Sequence, residues 1–176
     1  GYKNTTSHYS LPKPQHRVFD AIERCTHFNT DKITSDIVHV HTWYTHLAGI
    51  LAKLNYSIPF VVTVHSLEPL RPWKREQIGK GYDYSVWVEK TALHMADAVV
   101  AVSNDTRRDI LRIFKIPKSR VHVIHNGINP DVYKPTHNPR YLKSLGIDPE
   151  KPFVLFIGRI TRQKGIIHLV RAIQSM

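Results

Sequence analysis

Apolar positions along the chain follow two alternating spacings, one helical and one extended. Val18, Ile22 and Cys25 fall at i, i+4 and i+7, which predicts an amphipathic helix from Pro14 to about Phe28. Ile37 to His41 alternates and reads as a strand. Leu47, Ile50, Leu51 and Leu54 restore the helical spacing. Ile58 to Val64 is a β-branched run near Pro59, of the kind found in strands buried on both faces. Leu67 to Asp83 has no period, and a helix is expected from about Ser85 to Met95. Ala98 to Val102 reads as a buried strand, with Ser103 placed to cap a helix that runs to about Phe114 and stops before Pro117. Val121 to Ile124 is a short strand. Residues 126–150 hold four prolines and two glycines around a helical piece at Arg140–Leu145, and read as a linker. Phe153 to Ile157 is expected as a strand, and Ile166, Leu169, Val170 and Ile173 as the apolar stripe of a last helix. Residues 1–13 read as loop.

Strands separated by helices argue an α/β fold with a parallel sheet. Ligands on such sheets bind beyond the carboxyl ends of the strands. The residues that follow each strand are therefore the candidates: Thr42, Trp43 and Tyr44; His65 through Glu68; Ser103 and Asn104; Asn126 and Gly127; and Gly158 through Gly165.

Composition narrows the function classes. With 41% apolar and 22% charged residues the chain is globular rather than disordered. No apolar run reaches the ~18 residues of a membrane-spanning helix, so no membrane is expected. A lone Cys25 excludes an internal disulfide framework. The chain opens on Gly1 and stops at Met176 inside an apolar helical pattern, which reads as an internal fragment of a longer cytoplasmic protein. Lys plus Arg number 25 against 14 acids, a net charge of +11, which raises a polyanion-binding module as a non-enzyme alternative. The basic cluster Arg107, Arg108, Arg112, Lys115, Lys118 and Arg120 lies opposite the apolar Ile110, Leu111 and Phe114, as a solvated helix face would. No aromatic stacking residues or nucleic-acid motif lie among these cations, so nucleic acid is not expected as a partner.

Several constellations carry chemistry. Gly158-Arg159-Ile160-Thr161-Arg162-Gln163-Lys164-Gly165 joins the expected strand to the expected helix. A helix start leaves amides unpaired and carries partial positive charge, so Arg159 and Lys164 there suit a phosphate or diphosphate; the bland alternative is a solvated basic turn. The loop is not a Walker A sequence, because its glycine spacing differs and no Ser or Thr follows the lysine. His65, at the end of a strand, can donate to a sugar hydroxyl or an oxyanion, or be a buried histidine bonded to a carbonyl. Arg71, Trp73, Lys74 and Tyr82 put cations and aromatics on one irregular loop, which suits carbohydrate and phosphate contact. His39 and His41 share a strand face, but with His46 they lack an acidic or cysteine ligand at metal-binding spacing, so no metal is expected. Asn4, Asn55 and Asn104 begin chance glycosylation sequons. No Gly-x-Ser-x-Gly is present to support a serine nucleophile.

Five stretches then stand in a familiar order: His39–Tyr44, Thr63–Lys74, Ala96–Ser103, His125–Ile128 and Gly158–Gly165. Together they resemble family 4 retaining glycosyltransferases of the GT-B fold, above all bacterial and archaeal glycogen synthases and the related maltose-1-phosphate-forming enzymes. The resemblance covers roughly residues 15–176. It implies two Rossmann-like domains facing a cleft. Residues 1–125 would be the later part of the N-terminal, acceptor-side domain, 126–150 the interdomain linker, and 151–176 the first βα unit of the nucleotide-sugar-binding domain. It further implies His65 as the active-site histidine contacting the transferred sugar, and Arg159 and Lys164, with Gly158, as the donor diphosphate clamp. Asn126 resembles the family's Asn-Gly turn. Thr42, Trp43, Arg71 and Trp73 join it as candidate substrate contacts. Thr42 stands where many glycogen synthases have Asp, which leaves donor and acceptor open. The implied reaction moves glucose from ADP-glucose or UDP-glucose to an α-1,4-glucan. Alternatives are glucose 1-phosphate as acceptor, giving maltose 1-phosphate, or another family 4 activity such as a sucrose-type synthase. No cofactor and no metal would be required, and the 176 residues alone would be inactive.

Overall fold

The computed structural model describes residues 12–175. The loop reading of residues 1–11 and the Asn4 sequon lie outside the described residues. Those that are described divide into two compact units, which part between Gly127 and Ile128.

The first unit opens with α1 (Lys13–Phe28) and continues through β1 (Val38–His41), α2 (Trp43–Tyr56) and β2 (Phe60–Val64). After a 3-10 turn at Glu68–Leu70 come α3 (Lys74–Ile78), α4 (Gly81–Met95), β3 (Ala98–Ala101), α5 (Asn104–Phe114) and β4 (Val121–Val123). The described strands form one parallel sheet in the order β1-β2-β3-β4. Each crossover thus steps the same way along the sheet, and right-handed connections then put their helices on one face. Accordingly α2 packs against α4 and α4 against α5.

That face is the core. Val38 and Val40, Phe60, Val62 and Val64, Val99 and Ala101, and Val121 all point into it and are buried. Phe60 is wholly enclosed, and its burial contributes roughly 1.5–3 kcal/mol. It fits because α2 carries Gly49 opposite it: a Cβ there would stand 2.1 Å from the Phe60 ring. Asp97 pins the start of β2, accepting from the Phe60 amide at 2.8 Å and from Lys53 Nζ at 2.6 Å. Both donors hold its carboxyl below the usual carboxylate range. The opposite face of the sheet is more open, with His39 and His41 exposed and Val61 and Val100 half-buried. The second strand, expected to be buried on both faces, is buried on this one at Thr63 and only half-buried at Val61.

One further reading changes, and the basic cluster keeps its solvated face. The aperiodic stretch from Leu67 to Asp83 holds a 3-10 turn, α3 and the first turn of α4, which begins at Gly81 rather than near Ser85. Gly81 lets α4 start hard against α1, where a Cβ would come within 2.7 Å of Val18. The cations of the basic cluster are largely occupied. Arg112 pairs with Asp109 at 2.7 Å, and Arg108 pairs with Asp105. Arg107 donates to the Val121 carbonyl, and Arg120 ties the His94 and Ala96 carbonyls at the end of α4. Ser103 caps α5 as expected, accepting from the Thr106 amide at 3.0 Å.

The second unit contains α6 (Pro139–Ser144), a 3-10 turn at Arg162–Lys164 and α7 (Ile166–Gln174). The expected strand at 153–157 has no regular secondary structure and no strand partner among the described residues, and Phe153, Val154, Leu155 and Ile157 are exposed. An apolar run becomes a strand only when a neighbour takes its backbone hydrogen bonds. No helix among the described residues is long and apolar enough to cross a membrane.

Candidate functional site

The carboxyl ends of β1 and β2 bring three histidines onto the open face, because residues two apart on adjacent strands share a side. His41 Nδ1 lies 3.0 Å from His65 Nε2, with the rings stacked at 5.3 Å. One nitrogen must donate and the other accept, so this contact cannot hold with both rings doubly protonated. Behind them His39 Nε2 meets Thr63 Oγ1 at 2.7 Å. Partial burial and the neighbouring His41 push the His39 pKa down. His65 is exposed, so the buried-histidine alternative is set aside.

The chain leaves β1 through a strained residue. Thr42 has φ 66° and ψ 157°, a conformation that is essentially glycine-only. Ser57 and Lys115 also have positive φ, but in the left-handed region that closes helices. Thr42 and Thr45 side chains both donate to the His41 carbonyl, and this knot fixes the turn into α2. Trp43, the first residue of α2, is buried, its ring edge-on to Tyr44 and under Lys74 Nζ at 5.7 Å.

After β2 the chain builds a buried polar network. The Glu68 carboxylate accepts from Lys74 Nζ at 2.7 and 2.8 Å and from Ser85 Oγ at 2.9 Å. The Glu68 amide donates to Glu89 Oε2 at 2.8 Å, and the Tyr82 hydroxyl donates to the Glu68 carbonyl at 2.8 Å. Burial is the main cause that pushes the Glu89 pKa up to about 8, so Glu89 is protonated at neutral pH. Arg71 NH1 reaches Ser66 Oγ at 3.3 Å and the Glu68 carboxylate at 3.6 Å, while Arg71 Nε is buried without a partner. Trp73 is half-buried just before α3.

In the second unit, Gly158, Arg159 and Lys164 are exposed. Gly165 adopts φ 64° and opens α7 without a side-chain cap. Neither Arg159 nor Lys164 forms an ion pair among the described residues. Asn126 is exposed beyond β4 in the first unit, next to His125, whose Nδ1 lies 3.1 Å from the Val102 carbonyl. The structure thus gathers His65, Thr42, Trp43 and Arg71 around the ends of β1 and β2, with Trp73 on the same loop as Arg71, and places Gly158, Arg159 and Lys164 in the other unit.

Residues 9–132 match the profile of Glycosyltransferase Family 4. The chain belongs to this family. Among its relatives, the alpha-maltose-1-phosphate synthase of Mycobacterium tuberculosis is 54% identical over 140 residues, covering 77% of this chain and 36% of that protein. The corresponding protein of Mycolicibacterium smegmatis is 55% identical over 140 residues, with the same coverage. The chain therefore spans little more than a third of the length of these relatives. A solved structure, sucrose-phosphate synthase from Thermosynechococcus elongatus, superposes with a TM-score of 0.71 at 23% identity, over 94% of this chain and 41% of that one. The family 4 chain thus has the α/β architecture of GT-B glycosyltransferases.

The cluster around Glu68 holds residues that motif spacing along the chain does not single out. Glu68 lies among the strand-end candidates and within Thr63–Lys74, but its partners Ser85 and Glu89 are not among the candidate site residues. Their signal was available: Ser85 and Glu89 lie at i and i+4 on the same side of α4 as the buried Val88, Ala92 and Leu93. Polar residues within an apolar stripe are buried, and buried polar groups need partners. His46 is a third buried polar residue, enclosed on α2 with neither ring nitrogen bonded among the described residues, its pKa lowered by burial to about 3 and its ring therefore neutral. No group of three or more His, Cys, Asp or Glu among the described residues is placed to hold a metal ion.

Proposed function

We propose that this family 4 chain is part of a retaining glucosyltransferase that moves glucose from a nucleoside diphosphate glucose to glucose 1-phosphate, giving maltose 1-phosphate. The observation that carries the acceptor is the 54% identity to a protein of that name over most of the chain. ADP-glucose or UDP-glucose would serve as donor. A neutral α-1,4-glucan acceptor is the second reading, favoured by the half-buried indole of Trp73 on the loop after β2, of the kind sugars stack upon.

In this reading the bond from C1 of the donor glucose to the diphosphate oxygen breaks, and negative charge grows on the leaving group. Arg159, Lys164 and the backbone at Gly158 would hold that charge more tightly in the transition state than in the bound substrate, which lowers the barrier. These cations would take the part otherwise given to a divalent ion, so no metal or cofactor is required. His65 would donate to a hydroxyl of the transferred glucose, oriented by its contact with His41. The acceptor hydroxyl would attack C1 from the face the diphosphate leaves, passing its proton to a departing oxygen. Configuration is then retained without a pair of protein carboxylates.

The test uses the full-length protein with labelled ADP-glucose or UDP-glucose, offered glucose 1-phosphate or glycogen. Labelled maltose 1-phosphate is the expected product. Label in glycogen alone would replace this acceptor by the glucan, and label in neither would remove the proposed activity.

A further inference from the structure

We propose that Arg71 is the group that recognises the phosphate of the acceptor. The inference rests on the acceptor reading above and assigns that substrate's charged end to one side chain. Arg71 is mostly enclosed, its side chain 23% exposed. A guanidinium offers five N–H donors. Among the described residues they find only a long bond from NH1 to Ser66 Oγ, at 3.3 Å, and the edge of the Glu68 carboxylate at 3.6 Å. Nε is shielded from water and bonded to nothing. A half-buried cation with a shielded donor left without a partner is unfavourable unless something completes it.

The neighbouring acids do not complete it. Glu68 is engaged by Lys74, which donates to both of its oxygens, and by Ser85. Glu89 is held protonated by burial and adds no charge at neutral pH. Two cations and one carboxylate leave an excess positive charge at Arg71. The backbone that carries the side chain is held in place. Its amide donates to the Glu68 carbonyl at 2.9 Å, the carbonyl that also accepts from Tyr82. Ser66, which it touches, directly follows His65.

An under-coordinated guanidinium touching Ser66, the neighbour of His65, suits a phosphate monoester, whose oxygens match the planar fork. A neutral glucan has no group that uses this charge. Arg71 would therefore separate a sugar phosphate from a glucan at the acceptor position.

The experiment titrates full-length wild-type protein, Arg71→Gln and Arg71→Lys with glucose 1-phosphate and, separately, with ADP-glucose, after thermal melts establish that each variant is folded. Loss of a charge-assisted pair predicts about a 10- to 100-fold weaker affinity for glucose 1-phosphate in Arg71→Gln, with ADP-glucose held within about twofold. Arg71→Lys keeps the charge without the fork and falls between. Inorganic phosphate should displace glucose 1-phosphate from wild-type protein, and should do so less readily once Arg71 is replaced by Gln. Unchanged affinity in Arg71→Gln, equal loss for both ligands, or no displacement by phosphate would overturn the assignment. Protein that binds glucose 1-phosphate through Arg71 yet makes no maltose 1-phosphate would uphold this subsite and overturn the acceptor reading. Formation of maltose 1-phosphate with Arg71→Gln unimpaired would do the reverse, and wild-type protein that does not bind glucose 1-phosphate would overturn both.

Discussion

The loop Ser66–Lys74 and the turn Gly158–Gly165 are both short, basic segments, yet they hold charge in opposite ways. In the first, Lys74 and Arg71 close on a carboxylate that is 2% exposed, and a second acid, Ser85 and Tyr82 complete the network. In the second, every side chain from Gly158 to Lys164 is exposed, and Arg159 and Lys164 meet no acid among the described residues. Buried charge is tolerated only when paired, so the loop around Glu68 has one geometry. Solvated charge costs little and stays available to an anion. The contrast separates a paired framework, in which Arg71 alone keeps a shielded donor unused, from a solvated surface open to an anion.

The largest test of this contrast is Lys74→Met. Removing one partner of a buried pair strands the other, and unfolding in urea should show a loss of about 3–5 kcal/mol. A loss below about 1 kcal/mol would mean that the network is not the framework described. Next comes Lys164→Ala in the full-length protein. Stability should hold while turnover falls at least about a hundredfold, the cost of one lost donor to a developing anion. Near-normal turnover in that folded variant would take the turn out of the chemistry.

Glu89→Gln sharpens the comparison through pH. The folded protein holds the Glu89 proton up to about 8, whereas the unfolded chain releases it near the ordinary value of 4.5. Between those values the folded state binds more protons, so this group makes stability fall as pH rises. Gln keeps an acceptor for the Glu68 amide and has no proton to lose. The variant should gain stability relative to wild type as pH climbs through that window, and parallel pH profiles would show that Glu89 does not titrate there. The smallest effect is expected for Lys151→Ala. Its pairing with Asp148 at 3.6 Å is solvated, and stability should change by less than about 0.5 kcal/mol.

Much of the fold was legible because its cues are local. The β-branched run ending in Val64, the run Ala98–Val102 and the Ser103 cap each announce their element with few residues. The early start of α4 was not legible, because Gly81 reads as a breaker until Val18 is known to press against it. The run Phe153–Ile157 reads as a strand, and whether it becomes one depends on a neighbour. At the site, His65 and Arg71 could be singled out by type and place. The contact of His65 with His41, the pairing of Glu68 with Lys74 and the protonated state of Glu89 depend on which helix face turns inward. Spacing along the chain shows that only when a polar residue interrupts an apolar stripe.

Thr42 bends the backbone at φ 66° and ψ 157° where β1 hands over to α2. A β-branched residue held there carries about 1–3 kcal/mol of conformational penalty that glycine would escape. Thr42→Gly should therefore raise the melting temperature and at the same time free the hinge that aims His41. An engineer seeking a hardier protein would begin at this linkage, and would blunt the tool while tempering it.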